Sequence, residues 1–226
     1  VEPILLLSRE QRQDAIERAG YNTFLLRSDE VTIDLLSDSG TNAISTRQYT
    51  DSIIAGEAVN STSLYDLSGA VKEVYNKTFC LTFHQGRAAE RLLFDTLTEE
   101  KKIILGNSYF LTTLEFARRF QLEWHDLIVK EAYIPDSTYP FKGNMDLERL
   151  KFVAEALERQ SIAFVRMEAN VNIVGGQPFS LANIRGLRKL ADRLDLMLIL
   201  DATLLSENAH LIWEREFNFH PDLSSR

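Results

Sequence analysis

Cysteine and long apolar runs are scarce in this sequence, and each scarcity excludes a class of protein. The chain has one cysteine, Cys80, in 226 residues, so it can form no internal disulfide and we expect a reducing, cytoplasmic location. No apolar run approaches the roughly 20 residues that a transmembrane helix needs. The first residues, VEPILLLSREQ, lack the basic lead of a signal peptide. We therefore expect no membrane partner.

An excess of positive charge is also missing. The formal net charge is −8, with acidic and basic residues interspersed. This argues against nucleic acid as a partner, because phosphate backbones bind to basic surfaces. The phosphate-loop, dinucleotide-binding, nucleophile-elbow and zinc motifs are absent as well. Hydrophobic residues make up 45% of the chain, which is typical of a globular protein with a sizeable core.

Continuous apolar runs alternate with segments of helical spacing through most of the chain. Helix caps are predicted at Ser8 and Ser180, each just before such a helical segment. Runs of strand composition are TFCLTF (78–83), KKIILG (101–106), HDLIVK (125–130), SIAFVRM (161–167) and LMLILD (196–201). Strands that are apolar throughout and separated by helices are typical of a parallel sheet covered on both faces. The predicted fold class is therefore α/β.

The segment HQGR follows the first of these runs and is a candidate phosphate site. In open parallel sheets, ligands bind beyond the carboxyl ends of the strands. Gly86 would let the backbone approach a ligand closely, and Arg87 would add positive charge at the start of a helix. Taken alone, the same residues are more simply explained as a plain strand-to-helix turn with an exposed arginine.

Three further positions near strand ends have two interpretations each. Asn172 either presents an amide at the sheet edge or is a structural asparagine in a turn. Asp201 either caps the helix predicted in ATLLSENAH or holds the proton of a cationic ring, such as a protonated pyridine nitrogen. Tyr109 and Phe110 either stack on a flat cofactor or belong to the core.

Taken together, these segments resemble one family. AGYNTFLLRSDEVTIDLLSDSGTNAIS, HQGRAAERLL, GNSYFLTT, NVNIVGGQPFSLANIRGLRKLAD and LDATLLSENAHLI occur in that order. The sequence resembles the tryptophanase and tyrosine phenol-lyase family of β-eliminating lyases, which use pyridoxal phosphate, from Ser8 to about Phe217. The resemblance implies an aminotransferase-like fold of type I, with a mostly parallel sheet and helices on both faces, lacking the carboxyl-terminal domain.

The resemblance also implies roles for residues around the cofactor. Gln85, Gly86 and Arg87 match the loop that binds the cofactor phosphate. Phe110 matches the aromatic residue that stacks on the pyridine ring. Asn172 matches the amide that bonds to the phenolic oxygen of the cofactor.

Asp201 matches the carboxylate that faces the pyridine nitrogen, so Asp201 and Asn172 are the expected catalytic groups. An ionised partner keeps that nitrogen protonated, which lets the ring accept electrons from a substrate carbanion. Ser37 and Ser39 lie where the family contacts its substrate, a small amino acid. Gly40 and Glu57 match positions that help bind potassium, a cation that prefers oxygen ligands.

Departures from the family pattern affect the expected chemistry. The family has a tyrosine that protonates the leaving group where GEAVN places Val59, and an arginine where DATLL places Leu204. The lysine that binds the cofactor covalently is expected beyond the last residue of this chain. Elimination of phenol or indole is therefore not expected, whereas a leaving group that departs without protonation at carbon is easier.

Two functions fit this pattern. The first is a pyridoxal-phosphate-dependent lyase that acts on an amino acid and whose lysine comes from a second polypeptide or a missing segment. The alternative is a non-catalytic assembly or regulatory subunit. In domain terms, residues 1–45 are expected to pack with the small domain, and residues 46–226 to form an incomplete large cofactor-binding domain. We expect a homo-oligomer, or a hetero-oligomer with a chain that carries the carboxyl-terminal part.

Overall fold

The computed structural model describes residues 6–31, 47, 50–51 and 63–217. The chain divides into two compact units, Val1–Leu81 and Thr82–Arg226. The boundary expected after residue 45 falls outside the described residues and stays a prediction. No helix of the described residues is long and apolar enough to cross a membrane.

The first unit contains two α-helices within its described residues. Helix α1 (Arg9–Arg18) begins at Ser8, whose side chain and backbone form the reciprocal capping box with Gln11. Helix α2 spans Ser63–Tyr75. The predicted cap at Ser8 is confirmed.

The second unit contains a parallel sheet and the helices that cover it. The strands are β1 (Ile103–Gly106), β2 (Glu123–Asp126), β3 (Ile162–Glu168) and β4 (Leu198–Asp201). The helices are α3 (Gly86–Leu97), α4 (Leu111–Arg119), α5 (Leu147–Ala156), α6 (Leu181–Arg193) and α7 (Leu205–Ile212). The strands run parallel in the order β2-β1-β3-β4, so the predicted α/β class is confirmed.

Two apolar clusters lie on opposite faces of the sheet and hold its helices. One cluster joins β1 and β3 to α5 and α6 through Leu105, Val165, Met167, Leu150 and Leu187. The other joins the same strands to α3 and α4 through Ile104, Phe164, Phe94 and Ala117. Because strand residues alternate between faces, the side chains at 164, 166 and 168 point toward α3 and α4.

The strand predicted at TFCLTF is wrong. Residues 78–83 have no strand structure, and Phe79 and Leu81 are 87% and 76% exposed. Apolar composition alone does not make a strand, because its backbone groups also need a neighbouring strand to pair with. No such neighbour exists among the described residues.

Two other predicted strands differ in detail. Strand β2 contains only the first two residues of the predicted run HDLIVK. Leu127 and Ile128 of that run follow the end of β2 and are buried. Strand β4 is only partly buried, with Leu200 40% exposed, although its composition predicts a fully covered strand. The difference arises because β4 is an edge strand of the described sheet.

Candidate functional site

The carboxyl ends of β3 and β4 place two carboxylates side by side. Glu168 and Asp201 are register partners in the parallel pair. One oxygen of Asp201, Oδ1, accepts hydrogen bonds from the Thr203 backbone N–H at 3.1 Å and from the Thr203 hydroxyl at 2.7 Å. Asp201 therefore binds the turn before α7 through one oxygen, but it does not cap the helix: the N-cap residue is Leu204, without a side-chain cap, so the capping interpretation is wrong.

The other oxygen of Asp201, Oδ2, accepts a hydrogen bond from a buried guanidinium. Arg166, 4% exposed, donates from Nη2 to Asp201 Oδ2 at 2.5 Å and from Nη1 to Glu168 Oε2 at 2.9 Å. Its guanidinium also lies 6.0 Å from the centroid of the Trp124 ring, within the range of a cation–π contact. One arginine thus pairs with both carboxylates at the sheet edge.

Asn172 is connected to the same group through its backbone. The loop after β3 turns tightly at Gly175 and Gly176, whose φ angles are +84° and +67°, values that favour glycine. The Asn172 N–H donates to Glu168 Oε1 at 3.0 Å. Its side-chain amide is exposed and makes no hydrogen bond within the described part of the chain, so it is available to a ligand.

Helices α3 and α4 direct their first turns toward this edge. Thr113, in the first turn of α4, donates a hydrogen bond to Glu90 in the first turns of α3. Phe110 is the N-cap residue of α4 and is 38% exposed. Gln85, Gly86 and Arg87 are exposed at the start of α3, about one helical turn before Glu90.

Two carboxyl groups near Arg166, those of Glu90 and Asp201, have pKa values shifted in opposite directions. Burial raises the pKa of Glu90 above its ordinary value, against the hydrogen bond from Thr113 and the charge of Arg166. Burial also opposes ionisation of Asp201, but the charge of Arg166 and the hydrogen bonds from Thr203 and Arg166 together lower the pKa of Asp201. Asp201 is therefore the group that stays ionised.

Close packing beneath the site explains two unusual backbone positions. A Cβ atom on Gly106 would lie 2.5 Å from the Trp124 ring, so glycine is needed where β1 passes beneath this side chain. Ser108, buried after β1, has a φ of +91°. This strained conformation turns the chain before Tyr109, which meets Trp124 edge-to-face at 6.2 Å.

A cavity of about 380 Å³ adjoins the loop that carries Asn172. Ser108, Tyr109, Tyr133, Lys142 and Ile173 contribute to its lining. The Tyr133 hydroxyl donates to Asp126 at the end of β2, and burial together with this carboxylate raises the pKa of Tyr133 to about 12. Tyr133 is therefore a neutral hydrogen-bonding group at physiological pH.

The structure brings together some of the residues predicted from the sequence and not others. Asn172 and Asp201 are linked through Glu168 and Arg166. Phe110 and the segment Gln85–Arg87 lie at the starts of α4 and α3, whose first turns meet at Thr113 and Glu90. The remaining predicted residues, Ser37, Ser39, Gly40 and Glu57, lie outside the described residues, as does Val59.

Sequence reasoning missed the charged side chains that organise this edge. Arg166 and Glu168 lie within and at the end of a strand that is buried throughout. Charged residues are rarely fully buried unless they are paired. Two opposite charges at positions i and i+2 of an apolar run were therefore the available signal. Glu90 carried no such signal, since a glutamate in a helix is ordinarily exposed.

The fold and site define an α/β protein with charged groups at the carboxyl ends of parallel strands, opposite the first turns of two helices. A model of the β-eliminating lyase family matches residues 34–219. The chain belongs to this family, as the sequence motifs predict.

Curated relatives show the same relationship. A tyrosine phenol-lyase from Intrasporangium calvum is 45% identical over 217 residues, which cover 96% of this chain and 46% of the relative. A tryptophanase from Salinibacter ruber is 41% identical over 217 residues, with the same coverage of 96% and 46%. The chain therefore spans about half the length of the curated relatives it matches.

One solved structure is more distantly similar. A PLP-bound C–S lyase from Staphylococcus hominis is 16% identical, with a TM-score of 0.47, over 68% of this chain and 38% of its own. A similarity of this degree carries no argument about function.

Proposed function

We propose that this chain supplies a large part of the cofactor pocket of a pyridoxal-phosphate-dependent lyase that acts on a small amino acid. The observation that supports the proposal most directly is the hydrogen-bonded link between Asn172 and Asp201 at the carboxyl ends of two parallel strands. Family membership supports the reaction class. The covalently bound lysine would come from a second polypeptide or a further segment.

The charges at the site suit a ligand that carries both an anionic and a cationic group. Three carboxylates, those of Glu90, Glu168 and Asp201, interact with a single guanidinium, that of Arg166. The excess negative charge favours a cationic ring nitrogen beside Asp201. At the start of α3, the free backbone N–H groups and the Arg87 side chain favour an anion such as a phosphate.

Each proposed cofactor contact then has a distinct task. Arg87, Gln85 and the amide of Gly86 would hold the phosphate. Phe110 would cover one face of the ring, and the Asn172 amide would donate to the phenolic oxygen. When bound, pyridoxal phosphate supplies an electron-accepting ring that stabilises negative charge on the α-carbon of the substrate.

Asp201 would hold the proton of the ring nitrogen, and its lowered pKa keeps it in the ionised form that this task requires. Release of a β-substituent from an amino acid, with addition of one water, yields the protonated leaving group, pyruvate and ammonium. Val59 stands where the family pattern has the proton-donating tyrosine, and Leu204 where it has an arginine, so a leaving group that departs without protonation at carbon is proposed.

Outside the described residues, the resemblance supports two further assignments. Ser37 and Ser39 would contact the substrate, and Gly40 and Glu57 would help bind potassium. Cys80 is unpaired, which agrees with the reducing, cytoplasmic location that we propose.

Binding of pyridoxal phosphate to the purified chain tests the proposal. We expect saturable binding, which can be measured by equilibrium dialysis and by the quenching of tryptophan fluorescence. Arg87→Ala should weaken binding by about tenfold or more, because it removes a charge-assisted contact. Arg91→Ala is the matched control, since Arg91 lies one turn further along α3 and pairs with Asp95 on the surface.

Equal binding by the two arginine variants, or no saturable binding by the wild type, would contradict the proposed cofactor site. Release of pyruvate from an amino acid with a good leaving group, measured with the chain and whatever copurifies with it, tests the lyase reaction separately.

A non-catalytic subunit is the second proposal, and it is supported by Val59 and Leu204, which replace a proton donor and a cation of the family pattern. The Lys142 amine, which lines the neighbouring cavity, donates to the carbonyl oxygens of Ile134 and Pro135. Within the described ranges, no lysine forms a hydrogen bond or ion pair with Glu90, Arg166, Glu168 or Asp201. Cofactor binding without any turnover in the complete assembly would support this second function.

A further inference from the structure

One continuous chain of hydrogen bonds joins Asn172 to Asp201. The Asn172 N–H donates to Glu168 Oε1 at 3.0 Å, and Glu168 Oε2 accepts from Arg166 Nη1 at 2.9 Å. Arg166 Nη2 then donates to Asp201 Oδ2 at 2.5 Å. Both central side chains are buried, at 5% exposure for Arg166 and 7% for Glu168.

We propose that Arg166 and Glu168 are positioning residues that set the separation and orientation of Asp201 and Asn172. This inference rests on the proposed function, because Asp201 and Asn172 are the two residues proposed to contact the ring nitrogen and the phenolic oxygen of one cofactor ring. Arg166 and Glu168 touch neither the cofactor nor the substrate in this account. They act through the two residues that do.

The backbone beneath the chain of bonds belongs to a buried strand and is held by further hydrogen bonds. Arg166 and Glu168 occupy positions i and i+2 of β3, so they lie on the same face of a fully buried strand. Asn107, which follows β1, accepts from the Glu168 N–H at 2.7 Å and donates to the Glu168 carbonyl at 3.1 Å. The Arg166 guanidinium is planar and forks to two acceptors, which restricts its orientation.

The same arrangement determines how firmly Asp201 holds a proton. In the part of the chain that the structure describes, the charged or hydrogen-bonding groups that face Asp201 are Arg166 and Glu168 on β3, Glu90 on α3 and Thr203 after β4. The guanidinium disfavours protonation of Asp201 and draws electron density away from any ring N–H bonded to it. The family pattern has an arginine three residues after the position of Asp201, and Leu204 replaces it here. Arg166, on β3, nevertheless places a cation beside Asp201.

Substitutions at Arg166 and Glu168 test this in the full chain, with and without pyridoxal phosphate. Without cofactor, the titration of Asp201 is followed by the carboxyl ¹³C resonance, assigned by its loss in Asp201→Asn. With cofactor, the absorbance of the bound ring is followed against pH. Arg188→Met is the control, because Arg188 pairs with Asp192 on the surface of α6.

We expect Arg166→Met to move the Asp201 midpoint upward and to raise the pH at which the bound ring loses its proton. Arg166→Lys retains the charge but loses the fork, so it should leave the Asp201 midpoint near that of the wild type and weaken cofactor binding. Arg188→Met should change neither. An Asp201 midpoint that is the same in the wild type and Arg166→Met would overturn the inference.

Two additions keep the test decisive. If Arg166→Met fails to fold, Arg166→Met/Glu168→Gln removes one charge of each sign, and a smaller upward shift of the Asp201 midpoint is expected, because the loss of the Glu168 charge partly offsets the loss of the guanidinium. If the wild type binds no pyridoxal phosphate but Arg166→Met still shifts Asp201, the proposed function fails while the link from Arg166 to Asp201 is supported.

Discussion

At the scale of single residues, the site depends on how each carboxyl group is compensated. Asp201 has a guanidinium on one oxygen and a threonine on the other, so it remains ionised. Among the described residues, Glu90 has the Thr113 hydroxyl as its one hydrogen-bond partner. Two carboxyl groups that both interact with the charge of Arg166 therefore have pKa shifts in opposite directions.

Glu90→Gln should stabilise the protein at neutral pH. Because the folded-state pKa of Glu90 is raised, its favourable contribution is complete below the unfolded-state pKa of about 4.3. That contribution is lost as pH rises through the folded-state pKa. Glutamine keeps an acceptor for Thr113 without the buried charge. We expect a gain on the order of 1 kcal/mol in the free energy of unfolding at pH 7, measured with urea.

The gain should shrink toward zero near pH 4, where the glutamate is also neutral. Glu115→Gln, on the exposed face of α4, is the control and should show no comparable change. A loss of stability at pH 7 in Glu90→Gln would show that the ionised form is favoured in the folded protein.

At the scale of elements, one side chain of α7, that of Asn208, binds both ends of the loop between β3 and α6. Asn208 is fully buried. Its amide oxygen accepts from the Asn170 and Phe179 N–H groups, each at 3.0 Å, and its nitrogen donates to the Phe179 carbonyl at 3.1 Å. Both ends of the loop that presents Asn172 are thus tied to the helix that follows Asp201.

Asn208→Ala should therefore destabilise the protein by about 2–4 kcal/mol, since it leaves buried backbone groups unpaired. Cofactor affinity should fall as well, because the loop that carries Asn172 loses its anchor. Urea unfolding and equilibrium dialysis measure the two effects. Ser206→Ala, on the exposed side of the same helix, is expected to change neither, and a stable Asn208→Ala protein would refute the anchoring role.

At the scale of the whole molecule, apolar surface remains uncovered. Met197 and Leu200, at the edge of the sheet, are 47% and 40% exposed. Unpaired apolar edge strands are ordinarily covered or blunted by charge. This supports the proposal that the chain works in an oligomer, with further copies or with a chain that carries the carboxyl-terminal part.

We expect the purified chain to have a mass above that of a monomer in light scattering at micromolar concentration. Met197→Lys should lower the apparent mass, because it places a charge at the β4 edge. Phe152→Lys, at a position 73% exposed on α5, tests whether any added charge has this effect. A monodisperse wild-type monomer would contradict the proposed assembly.

Much of the second unit could be predicted from the sequence. The apolar runs at 101–106, 161–167 and 196–201 contain strands of a parallel sheet, and the serine cap at Ser180 is confirmed, as is the cap at Ser8 in the first unit. These features depend on nearest-neighbour chemistry: spacing, capping and local burial. The run at 78–83 failed as a predicted strand because pairing depends on a neighbour that local composition does not specify.

The sequence by itself determined the family, the parallel α/β plan and the identity of the polar residues that follow the strands. Only the tertiary structure decided how those residues are connected. Parallel strands bring together side chains that are distant in sequence, so Arg166 could be assigned to Asp201 only after β3 and β4 were placed in register. The same register turned a buried arginine and a buried glutamate, each costly alone, into a paired group that links the two proposed cofactor contacts.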